Sequence, residues 1–120
     1  MALTIARRKL SGSTDGLPMV LNSTASASAI IHTGHTSTAI IDELHLWAKI
    51  DATKTASVTI TVNINSACHI IEIPERGFDY PLLTGFPIFG RSAAGTQIEI
   101  WASTTGVVSV YGYINRITEV

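Results

Sequence analysis

The chain is short of charge, of cysteine and of long apolar runs, and each shortage excludes something. Lys, Arg, Asp and Glu together make up only 14% of its 120 residues, against roughly 25% in ordinary soluble domains. With a net charge of −1 there is no strong basic field, so nucleic acid is not expected as a partner. The lone Cys68 rules out an intrachain disulfide, and with it a secreted, stapled scaffold. No apolar run approaches the length that spans a bilayer, so no membrane partner is expected either. The opening MALTIARRKLSGSTDG carries a basic pair with no apolar stretch behind it, unlike a secretory or twin-arginine leader. The expectation is a protein made and folded in a cytoplasm, for which the glycosylation sequon at Asn22 has no consequence.

What the chain does have is β-branched and hydroxyl side chains: sixteen Ile, fifteen Thr and eleven Ser against three Lys. Such residues favour strands over helices. In SVTITVNIN, Val58, Ile60, Val62 and Ile64 point one way while Thr59, Thr61 and Asn63 point the other, the rhythm of a half-buried strand. IDELHLWAKI repeats it, with Leu44, Leu46, Ala48 and Ile50 inward and Glu43, His45, Trp47 and Lys49 outward. In TQIEIWA, Ile98 and Ile100 face inward and Glu99 and Trp101 outward. VVSVYGYINRI alternates more weakly, with bulky groups on both faces. Further strands are expected over Leu3–Leu10, Pro18–Asn22, Ser28–His32, Cys68–Ile73 and Leu82–Phe89. Turn signals such as DATKTA, PERG, LTGFP, GRSAAG and STTG separate these runs. No segment carries an amphipathic helical repeat.

Roughly eight short strands broken by turns predict an all-β fold, an antiparallel β-sandwich of jelly-roll type. One domain suits the length. The polar, Gly- and Ser-rich residues 1–16 read as an extended N-terminal arm, leaving residues 17–120 as the sandwich.

Candidate chemistry is thin. His32-Thr33-Gly34-His35 invites a metal reading, with His45 and Cys68-His69 downstream. The pair faces across a hairpin if Thr33-Gly34 is a tight turn, and belongs to a solvated loop if His32–Thr38 joins two strands. Zinc needs two further ligands, and no familiar spacing supplies them. The solvated loop is the favoured reading, with no metal and no cofactor. GRSAAG differs from a nucleophile elbow by one residue and precedes a strand, not a helix. Asp42 and Glu43, adjacent in a strand, face opposite ways and cannot work as a carboxylate pair. No catalytic residue is assigned, and an enzyme is not expected.

The outward aromatics say more. Trp47 shares a face with His45 and Lys49, and Trp101 lies beside Glu99. Large aromatics on a face that should be wet mark a contact surface, either between subunits or stacked on sugar rings. The plain alternative puts both tryptophans in the core. The basic run Arg7, Arg8 and Lys9 suits a solvated stretch, or, in an arm, acidic groups on a neighbour.

From SASAII through IDELHLWAKI to VYGYINRI, over roughly Ser26–Ile117, the chain resembles the small all-β virion proteins of tailed bacteriophages, the capsid decoration or cement proteins in particular. The likeness is one of pattern and texture, with no single diagnostic motif. It implies a non-catalytic homo-oligomer, a trimer ahead of a dimer, seated on the outer capsid surface and bridging major capsid proteins. Arg7, Arg8, Lys9, His45, Trp47, Lys49 and Trp101 are then the expected interface residues. The runner-up is a carbohydrate-binding β-sandwich, or another virion component (head fibre, neck or baseplate), used in host adhesion.

Overall fold

A computed structural model describes residues 2–13, 15–21, 30–50, 58–64, 67–73, 79–92, 94–104 and 106–119. Those residues are all-β. Nine strands are β1 (Leu3–Lys9), β2 (Met19–Val20), β3 (Ile30–Thr33), β4 (Ile40–Ile50), β5 (Val58–Ile64), β6 (Ala67–Ile73), β7 (Asp79–Phe89), β8 (Gln97–Ala102) and β9 (Val108–Glu119). No helix among the described residues is long and apolar enough to cross a membrane.

The strands form two antiparallel sheets, with order β1-β9-β4-β7 in the first and β3-β8-β5-β6 in the second. The pairing is nested: β5 pairs with β6, β4 with β7, β3 with β8, and β1 with β9. Two further pairings, β4 with β9 and β5 with β8, join these nested pairs into sheets. β2 continues the path of β1 along the same side of β9, pairing Met19 with Val110.

The alternation expected of the sequence decides which way each strand faces. On β4, Leu44, Leu46, Ala48 and Ile50 are buried, while Glu43, His45 and Trp47 are partly exposed and Lys49 is exposed. Val58, Ile60, Val62, Ile98, Ile100 and Ala102 bury the facing side of the second sheet, so the core is an aliphatic layer between the two sheets. Among the described residues eighteen apolar side chains are buried in it. Neither tryptophan belongs to that core.

The two edges of the first sheet are built differently. Edge strand β7 carries Pro81 and Pro87, which cannot donate to a ladder and suit a strand paired on one side only. It also has two register shifts, one either side of the His45–Leu46 step of β4. One is served by Gly85 at φ +69°, the conformation of a glycine bulge. Edge strand β1 pairs without interruption over seven residues, Leu3 with Glu119 through Lys9 with Tyr113, and every one of its residues is exposed.

The segment expected as an arm divides in two. Leu3–Lys9 is that exposed edge strand. Beyond it the chain leaves the first sheet and docks on β3 of the second. Leu10 is only 2% exposed, and the Gly12 N–H donates to the Ile31 carbonyl at 2.9 Å. A side chain at Gly12 has no room, because its Cβ would lie 2.4 Å from the Ile30 carbonyl oxygen.

Candidate functional site

Asp42 and Glu43 do face opposite ways, and each gathers a histidine and a side chain from β9. On the inner side, Asp42 is fully buried. Arg116 grips it with two bonds, Nε to Oδ1 at 2.8 Å and Nη2 to Oδ2 at 3.0 Å, the bidentate geometry suited to guanidinium and carboxylate. The His32 Nε2 lies 2.8 Å from Oδ2. The Ser11 backbone N–H donates to His32 Nδ1 at 3.1 Å. Because Nδ1 accepts, the ring proton sits on Nε2 and is donated to Asp42. Burial alone would push the Asp42 carboxyl up; the hydrogen bond from His32 and the Arg116 guanidinium outweigh it and bring its pKa down to about 2. The hydrogen bond to Asp42 in turn raises Arg116 above its ordinary value, against the opposing effect of burial.

This placement corrects the reading of His32 as a solvated loop histidine. His32 is 1% exposed, held by β3 and capped by Ser11. Thr33-Gly34 is not a tight turn: the Gly34 N–H donates to the Thr96 carbonyl at 2.8 Å, extending the β3–β8 ladder. His35 follows in the loop to β4, where its Nδ1 accepts the Ser37 N–H at 2.9 Å. The side chains of Cys68 and His69 lie outside the described residues. Among the described residues no three His, Cys, Asp or Glu side chains group as metal ligands.

On the outer side, His45 donates to Glu43 Oε1 at 2.7 Å, and the Asn115 amide donates to the same oxygen at 3.2 Å. Both bonds lower the Glu43 carboxyl, that from His45 more. The rings of His45, Trp47, Tyr111 and Tyr113 lie over one another across β4 and β9, with centroids 4.9 to 6.3 Å apart. The Arg7 guanidinium sits 4.3 Å above the Tyr113 ring, a cation–π contact, and its Nε donates to Asn115 Oδ1 at 3.4 Å. This aromatic patch lies open on the outer face of the first sheet. Gly112 lets it form: a Cβ there would lie 2.0 Å from the His45 carbonyl oxygen, so only glycine lets β9 approach β4 between the two tyrosines.

Of the expected interface residues, the structure brings Arg7, Lys9, His45, Trp47 and Lys49 onto that one face. It does not bring the others. Arg8 lies on the inner side of β1, lining a recess with Ser11, His32, Ile114 and Arg116 that Lys9 also borders. Trp101 pairs with Thr61 on the outer face of the second sheet, the far side of the sandwich.

Sequence reasoning missed Tyr111, Tyr113 and Asn115 as members of the outer cluster, and the pairing of buried Asp42 with half-buried Arg116. The period-two alternation through Leu44 and through Ile114 held the signal for both inward groups, since each lies two residues from an inward aliphatic.

A separate cleft of about 430 Å³, lined by Asn63, Arg91, Ser92, Gln97 and Glu99 among others, opens at one end of the second sheet. The buried Asn63 Oδ1 has no hydrogen-bond partner.

Comparison with known protein families, with curated proteins and with solved structures finds no match.

Proposed function

We propose that this protein is a non-catalytic structural component of a virion, of the capsid decoration kind, that braces neighbouring major capsid proteins on the outer surface. The observation that carries the reading is the open edge strand β1, set in a sandwich whose strand orders are 1-9-4-7 and 3-8-5-6. Four nested antiparallel pairs, folded over so that the two orders interleave, are what a jelly roll has, an architecture used by viral coat domains. Within that frame β1 serves as the arm. Its seven exposed residues add little to the core, and its outer edge carries the positive charge of the Arg7-Arg8-Lys9 run toward solvent. A strand added to a sheet edge gains affinity from main-chain bonds, and arginines placed there find carboxylates.

The test is co-sedimentation with empty shells of the same virion. Removing residues 1–8, which stops short of the buried Leu10, is expected to leave the melting temperature within a few degrees. Shell binding is expected to fall at least tenfold, about 1.4 kcal/mol. Unchanged binding by the shortened protein overturns the role of β1; no binding by the intact protein overturns the virion reading.

A further inference from the structure

We propose that the outer face of the first sheet is a two-fold interface with a second copy of this chain, the axis running along β9. The register across the sheet motivates it. One row of outward side chains is apolar from edge to edge: Ile5 pairs with Ile117, Ile117 with Ile41, and Ile41 with Phe89. Within it Ile5 is 67% and Phe89 61% exposed, a contiguous apolar strip of the sort that marks contact surfaces. The next outward row, two residues along, is polar: Arg7, Asn115 and Glu43, in that order across β1, β9 and β4. The row after that holds Lys9, Tyr113 and His45.

A two-fold axis along β9 keeps each row facing itself and exchanges β1 with β4. The apolar strip then meets the apolar strip, with the second copy's Ile5 over Ile41 and the two Ile117 side chains at the axis. In the polar row the second copy's Arg7 comes over Glu43, and Glu43 of the second copy over Arg7, so two opposite-charge pairs form by symmetry. The bonds from His45 and Asn115 both end on Glu43 Oε1, so the incoming guanidinium would bond to Oε2. Tyr113 stacks near its own copy at the axis. An axis across the strands through the apolar strip would also set the strip on itself, but it keeps β1 over β1 and β4 over β4 and so would not pair Arg7 with Glu43.

The size agrees with a modest, reversible contact. Three overlapping strands span about 14 Å, and the three rows in which all of them carry an outward side chain span about 20 Å. That is about 300 Å² on each copy and on the order of 600 Å² in all, the size of a weak, transient contact. The inference is independent of the virion reading, since it concerns only this chain with itself. It selects a two-fold pairing in place of the trimer expected from the sequence.

Sedimentation velocity on the intact protein up to about 200 µM tests it, with thermal melts on every variant. The expected result is a monomer–dimer equilibrium. Arg7→Glu and Glu43→Arg should each weaken it at least tenfold, and the double variant carrying both should return to within about threefold of wild type. Ile5→Asp, at a position exposed within the chain, should remove the dimer while leaving the melt unchanged; it stands in if either charge variant fails to fold. A wild type that stays monomeric, a trimer, or a double variant no better than its parents overturns the proposal.

Discussion

Asp42 and Glu43 are chain neighbours with nearly the same chemistry, and the sheet between them makes their energetics differ. Each carboxylate takes a bond from a histidine and one or more from a β9 side chain. Asp42 faces the core side, fully buried, with His32 and Arg116; Glu43 is 35% exposed, with His45 and Asn115. Water competes for every bond that Glu43 makes, and reaches Asp42 only through the partly exposed Arg116. A buried ion pair does not by itself stabilise a fold, but removing one member strands the others, whereas an exposed pair contributes little. One cluster is therefore a structural commitment and the other is a surface feature available to a partner.

The comparison breaks most visibly at Asp42. Asp42→Asn leaves the Arg116 charge without its counter-ion and is expected to cost about 3–5 kcal/mol, read by urea denaturation. A cost below about 1 kcal/mol would mean the cluster relaxes to solvent. Acid should produce the next effect. Asp42 has a folded pKa of about 2, below its ordinary 3.8. It therefore contributes stability that is complete above about pH 4 and is lost as pH falls toward 2. The contribution is roughly 2 kcal/mol, and the pH dependence between 4 and 2 should flatten in the Asp42→Asn variant.

Smaller again is Ser11→Pro, which removes the N–H that His32 Nδ1 accepts while leaving the His32 side chain in place. An unsatisfied buried acceptor should lower stability by about 1–2 kcal/mol. Ser11→Ala keeps that N–H and loses only the Oγ that accepts the Thr33 N–H at 2.7 Å, so it should cost less than Ser11→Pro. The smallest effect belongs to Glu43→Gln, expected to leave the melting temperature of the monomer within about 2 °C. A larger shift would show that the outer cluster holds the fold as the inner one does.

The sequence revealed faces better than partners. Alternation assigned Trp47, His45 and Lys49 outward on β4, and Glu99 and Trp101 outward on β8, because a pleated strand carries its orientation in a local period. The all-β, antiparallel class was legible for the same reason. Which strands adjoin was not, since nothing local in LTIARRK says that it will pair with residues 113–119. That blindness hid the aromatic cluster, whose two halves, His45 with Trp47 and Tyr111 with Tyr113, lie more than sixty residues apart, and the Asp42–Arg116 pair. His32 was misread because His-Thr-Gly-His looks like a polar loop until Asp42 is known to lie beneath it.

The nested pairing has a consequence for how the molecule comes to be. β9 lies between β1 and β4 in the first sheet, yet it is the last of the described strands to be synthesised. Leu3 meets Glu119, a loop closure among the longest this chain can make, and contacts so far apart in sequence slow folding. β4 can pair with β7 beforehand, but β1 has no neighbour in its sheet until β9 leaves the ribosome. During that interval β1 is an unpaired strand bearing three adjacent positive charges, and those charges are what discourages two nascent chains from pairing with each other.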